Sequence, residues 1–147
     1  MSLPPLNSEG VLPRSMHDCT LNEMRDMFAH PGSSLQRRRL FEDLERYVNE
    51  LRKTGIPKAL IVNGSFATSK EEPNDIDLIV VLPSDFNFEQ QIGPFEYNLI
   101  SRRRVRRNYG FDVFALAAET QEYQEMVEFF HRTRQPGLNK GLLRVAL

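Results

Sequence analysis

A chain of 147 residues with 40% hydrophobic side chains has the length and apolar content of one folded domain, which argues against a disordered polypeptide. The formal net charge of −1 gives no global pull toward nucleic acid or a membrane, and no apolar run approaches the ~18 residues needed to span a bilayer. One cysteine, Cys19, rules out an internal disulfide and a thiolate zinc cluster, and makes the reducing cytoplasm the expected location.

Residues 1–17 are rich in Pro, Gly, Ser and Asn and read as an irregular arm, packed on the domain through Leu6, Val11 and Leu12. Residues 18–147 read as a single domain. Thr20 with Glu23 fits a capping box that opens a helix to about Phe28, which His30-Pro31-Gly32 ends. Ser33 or Ser34 can cap the next helix, to about Lys53. Its apolar positions Leu40, Phe41, Leu44, Tyr47, Val48 and Leu51 follow the spacing of one buried face. Gly55 is a natural C-terminal cap and Pro57 prevents continuation. Residues 58–63 read as a buried strand, 66–74 as a polar turn, 76–82 as a second strand and 83–93 as loop. A helix is expected over about Phe95–Asn108, a strand over Phe111–Leu116, a helix over about Glu119–Arg132 and a last strand over Leu142–Leu147. The result is an α/β (α+β) arrangement, a small mixed sheet covered by helices.

The most informative stretch runs from Val62 to Val81. Gly64-Ser65 follows a buried strand, and nine residues later Asp75-Ile76-Asp77 opens another. Glycine allows a tight turn and close approach of backbone N–H groups to a phosphate, and a short helical turn after it favours an anion at the same point. A strand-ending turn of no further consequence has the same sequence. Asp75 and Asp77, two apart on a strand, would point to one face. Polar positions facing water are the ordinary reading of such a pair. At the head of Leu78–Leu82, however, carboxylates are costly unless paired or bound to metal, and hard divalent ions such as Mg²⁺ take oxygen ligands. Asp112 heads the strand Phe111–Leu116. If that strand lies beside the first, three carboxylates converge and can hold two Mg²⁺ ions.

Gly-Ser, the nine-residue spacer, Asp-x-Asp in an apolar strand and a later strand aspartate together resemble the nucleotidyltransferase superfamily of the DNA polymerase beta type. The similarity is greatest to its minimal single-domain members. It covers about residues 58–116. More loosely, the whole chain resembles an uncharacterised bacterial family of short nucleotidyltransferase-like proteins. The resemblance implies that Gly64 and Ser65 bind the β- and γ-phosphates of a nucleoside triphosphate. It also implies that Asp75 and Asp77 ligate Mg²⁺, and that Asp112 ligates the catalytic ion and helps deprotonate an acceptor hydroxyl. The implied reaction is metal-dependent transfer of a nucleoside monophosphate to RNA or protein. In related minimal systems the acceptor is a toxin protein, and a toxin partner or a homo-oligomer is the expected assembly. The chain departs from the pattern after Gly-Ser: Ala67, Thr68, Ser69 and Lys70 stand where arginines and a second glycine are common, and Asn74 replaces a common serine. Lys70 is the remaining candidate phosphate ligand on that loop, with a solvated lysine as the alternative.

Two other readings stay open: a binding module on the same fold with weak or absent catalysis, and metal-dependent cleavage of nucleotides or nucleic acid. Ser101–Arg107 carries five arginines in six residues. On a helix, Arg102, Arg103, Arg106 and Arg107 share a broad face suited to a polyanion or an acidic partner, or to solvent and scattered acids. Arg37, Arg38 and Arg39 read as ordinary helix-surface residues, and His17, His30 and His131 as structural or surface groups.

Overall fold

The structure, a computed structural model, describes residues 3–89 and 92–147. Among the described residues, the chain forms five helices and five strands. In chain order these are β1 (Met16–Asp18), α1 (Leu21–Phe28), α2 (Leu35–Thr54), β2 (Ala59–Asn63), a 3₁₀ turn (Ser65–Ala67), β3 (Asp77–Leu82), α3 (Pro94–Ile100), α4 (Arg102–Tyr109), β4 (Asp112–Ala117), α5 (Gln121–His131) and β5 (Leu142–Ala146). The strands make one mixed sheet of order β1-β5-β2-β3-β4. Pairing is parallel for β1·β5 and β3·β4, and antiparallel for β2·β5 and β2·β3. No helix among the described residues is long and apolar enough to cross a membrane.

Local chemistry accounts for the helix ends. Thr20 Oγ1 accepts the N–H of Glu23, whose carboxylate accepts the N–H of Thr20, so the expected capping box is present. Ser34, not Ser33, caps α2, and Gly55 closes it in the left-handed region at φ 68°. The helix expected over Phe95–Asn108 is instead two helices. Ser101 ends α3 and its hydroxyl accepts the N–H of Arg104 to start α4. The loop expected over 83–93 has no helix or strand through Glu89, and residues 90 and 91 lie outside the described residues, as do 1 and 2 of the expected arm.

Alternation along the strands sorts the core onto two faces. Leu60, Val62, Leu78, Val80, Leu143 and Val145 pack on one side with α1, α2 and α4, through Met24, Leu44, Tyr47, Val48, Leu51 and Val105. Ile61, Ile79, Val81 and Leu142 pack on the other side with Phe130, Tyr123, Met126 and Val127 of α5. The expected irregular arm is partly ordered: Leu12 is fully buried, Val11 pairs with Thr68, and Met16–Asp18 enter the sheet. Cys19 follows this edge strand, where burial, and then Glu23 and Asp18, push its thiol up to about 12, which disfavours the thiolate at neutral pH.

Candidate active site

The Gly-Ser turn and the Asp-x-Asp segment are packed against one another. Gly64 stands at φ +92°, and a Cβ there would lie 2.9 Å from the carbonyl oxygen of Asp75 and 3.1 Å from the nitrogen of Asp77. Only glycine accepts both the backbone conformation and that approach. Ser65 then donates its N–H to Asp75 Oδ1 at 3.1 Å, and its hydroxyl donates a short bond to the same oxygen. The Ser65 hydroxyl also accepts the N–H of Asn74 at 3.2 Å, and Phe66 N–H donates to the Asp75 carbonyl at 3.3 Å. Both side-chain and backbone donors of Ser65 are therefore committed within the protein.

Asp75 lies before β3, which begins at Asp77, so the two are not neighbours on one strand as expected. Both nevertheless line the same cleft. Asp77 and Asp112 are register partners across the parallel β3·β4 pair, and alternate with the buried Leu78 and Val113. Both consequently face the α5 side of the sheet. Burial, then the charges of Asp75 and Asp112, hold the Asp77 carboxyl above its ordinary range, while Lys140 and Arg106 pull it down. The three expected aspartates are thus close enough to repel. They are not closed into a metal cage: among the described residues, no three Asp, Glu, His or Cys side chains are grouped to hold an ion. Asp75 is held by Ser65, and Asp112 is gripped from both oxygens by Arg102, with Nε to Oδ1 at 2.9 Å and Nη2 to Oδ2 at 3.3 Å.

Arg102, Arg103, Arg106 and Arg107 are all exposed on α4, and one of them is paired with an acid. Arg102 lies over the Phe114 ring at 4.5 Å and bonds Asp112, and Arg106 reaches the field of Asp77. Arg103 and Arg107 form no ion pair among the described residues.

The cleft has a volume of about 610 Å³. Gly64, Ser65, Lys70, Asp75 and Asp77 line it, as expected, together with Asn63 and three cations that sequence reasoning missed: Arg132, Arg134 and Lys140. Asp112 is not part of its lining. Burial lowers the Lys140 ammonium from its ordinary range, and Asp77 and Asp75 oppose that shift. The sequence reading gave none of the three a role at the site.

Arg37 is the other residue misread. It is 7% exposed and donates to the carbonyls of Phe66 (2.7 Å), Thr68 (2.5 Å), Lys70 and, more distantly, Phe28 (3.4 Å). It therefore fixes the backbone that follows Gly64-Ser65. The available signal was its place in the 37, 41, 44, 48, 51 stripe of α2, whose other members are core residues.

A mixed sheet with its Gly-Ser turn locked onto the acidic head of β3, beside a cleft with acidic and basic lining, defines a small α/β domain with a polar surface site. Residues 4–146 match a family of unknown function, DUF6932, and the chain belongs to that family. No curated protein and no solved structure matches it.

Proposed function

We propose that the protein is a metal-dependent nucleotidyltransferase that moves a nucleoside monophosphate from a nucleoside triphosphate to a hydroxyl of RNA or protein. The observation that supports this reading is the register pairing of Asp77 with Asp112 across parallel β3 and β4, with Asp75 lining the same cleft as Asp77 next to a turn that glycine alone allows. The donor set suits a hard divalent cation: it is all oxygen, and its mutual repulsion is the kind that such a cation relieves. Asp75 and Asp77 would hold Mg²⁺, with Asp112 joining once its carboxylate leaves Arg102. The ion, when bound, supplies charge neutralisation for the phosphates and activation of the attacking oxygen. Asp112 would accept the proton of the acceptor hydroxyl. Gly64 keeps the turn pressed against the β3 head, and Lys70 offers a cation at the cleft rim. The test is incubation with Mg²⁺ and each labelled nucleoside triphosphate in cell lysate. Label on RNA or protein with release of pyrophosphate supports transfer, and monophosphate without a labelled acceptor refutes it in favour of hydrolysis.

A second reading has its own support. The two-point grip of Arg102 on Asp112, which ties up that carboxylate, suits a binding module in which catalysis is weak or lost. In that case Asp75→Asn with Asp77→Asn leaves function intact, whereas neutralising the exposed arginines of α4 abolishes it. The enzyme reading predicts that the aspartate changes cost on the order of a thousandfold in rate.

A further inference from the structure

The basic part of the cleft lining comes from the loop between α5 and β5, and that loop is a built element. Lys140 donates its N–H to the carbonyl of His131 at 2.8 Å, while its own carbonyl meets His131 Nδ1 at 2.7 Å. Arg132 and Asn139 form an antiparallel bridge, and Thr133 Oγ1 donates to the Leu138 carbonyl at 2.8 Å. The backbone is thus fixed, and it carries Arg132, Arg134 and Lys140 to the cleft.

Among the described residues, none of these three cations forms an ion pair, and neither does Asp77, although Asp18, Asp43, Asp112, Glu50 and Glu128 all do. Opposite charges brought to one cleft without pairing call for a ligand that satisfies both. A polyphosphate carrying a divalent cation does so: its oxygens suit the loop, and its metal suits the aspartates. A second observation is independent of charge. Asn63, 4% exposed and lining the cleft, donates Nδ2 to the Phe130 carbonyl at 3.3 Å, which leaves its Oδ1 buried with no partner. A buried acceptor in this position is satisfied by a cation or a donor, not by a bare anion. The Gly-Ser turn offers little to a phosphate in this state, because Ser65 is bound to Asp75 and Asn74.

We infer that the Arg132–Lys140 loop is the polyphosphate-binding wall of the cleft, and that Arg132, Arg134 and Lys140 take the phosphate chain of a metal-bound nucleoside triphosphate. The identity of the ligand rests on the nucleotidyltransferase reading; the polyphosphate chemistry rests on the cleft itself. The experiment is calorimetric titration of the full chain with inorganic tripolyphosphate, with and without Mg²⁺. The wild type is expected to bind. Lys140→Met and the double variant Arg132→Ala with Arg134→Ala should each weaken binding at least about tenfold, the loss of one or two charge-assisted contacts. The double variant Arg103→Ala with Arg107→Ala, on the exposed side of α4, should stay within about twofold.

Absence of wild-type binding, wild-type affinity in the Arg132/Arg134 double variant, or an equal loss in the Arg103/Arg107 variant would overturn the inference. Should Lys140→Met lower the melting temperature, the double variant on the exposed loop still decides the matter. Loop-dependent binding without nucleotide transfer leaves the wall standing and removes the enzyme reading. Transfer with an unchanged KM for triphosphate in the loop variants does the opposite.

Discussion

Arg37→Met removes a guanidinium while keeping most of its apolar stem. The lost group donates to four backbone carbonyls: Phe66, Thr68 and Lys70 at close range and Phe28 at 3.4 Å. A hydrogen bond from a charged donor contributes about 1.5–3 kcal/mol, but such terms are not additive, and the carbonyls of Thr68 and Lys70 can recover water. Phe66 is fully buried, so its carbonyl has less access to replacement partners. Methionine also avoids burying a cation, a cost reflected in the Arg37 pKa, which burial lowers. The balance is a predicted loss of about 3–4 kcal/mol, out of a total near 5–15 kcal/mol for a domain of this kind. At roughly 3 °C per kcal/mol for this length, the midpoint should fall by about 10 °C. Arg37→Lys should recover less than half, because an ammonium cannot span the same set of carbonyls. Circular dichroism melts of the three proteins measure this directly. A fall below about 3 °C for Arg37→Met would refute the claim that this side chain holds the loop after Gly64-Ser65.

The remaining predictions concern the cleft. Gly64→Ala should cost about 2–4 kcal/mol, since it meets both a positive φ and the backbone of Asp75–Asp77; a urea titration with an unchanged midpoint would remove that contact from the account. Asp77→Asn should abolish nucleotide transfer yet raise the melting temperature of the metal-free protein at neutral pH. The sign follows from the raised Asp77 pKa: the folded state binds the proton more tightly than the unfolded chain, so ionisation weakens the fold. The advantage of asparagine should be absent below an ordinary carboxylate pKa of ~3.9, grow as pH rises through the raised value, and be complete at neutrality. Melts in EDTA across that range test it, and a wild type more stable than Asp77→Asn at neutral pH contradicts it. Arg102→Ala breaks an exposed ion pair and should change stability by no more than about 1 kcal/mol. On the enzyme reading it frees Asp112 and tightens Mg²⁺ binding in calorimetry, while weakened Mg²⁺ binding would count against Asp112 as a ligand.

Much of the architecture was legible because it is written locally. The capping box at Thr20, the left-handed Gly55 and the uninterrupted apolar run of β3 each carry their own signal, and Asp112 beside Asp77 follows once β3 and β4 pair in parallel. What was missed depends on distant partners. Met16–Asp18 has no alternation to read, and becomes a strand because β5 lies beside it. The break at Ser101 hides in a run with no proline or glycine, and a serine cap is a weak mark amid arginines. Arg37 was readable by period but masked by its charge. Arg132, Arg134 and Lys140 meet the carboxylates only through tertiary packing, so residue spacing could not bring them into the site.

The place of β5 has a consequence for how the molecule is made. The last strand in sequence is inserted between β1 and β2, with Arg144 bonded to Asp18 at 2.6 Å across nearly the whole chain. During synthesis, β2, β3 and β4 are complete while the inner edge of β2 still has no neighbour. The acidic side of the cleft can therefore take shape before its basic side has emerged from the ribosome. Closure waits for contacts of long sequence separation, which form slowly. In that interval the edge of β2 is open to wrong pairing with another chain, in addition to the outer edge of β4.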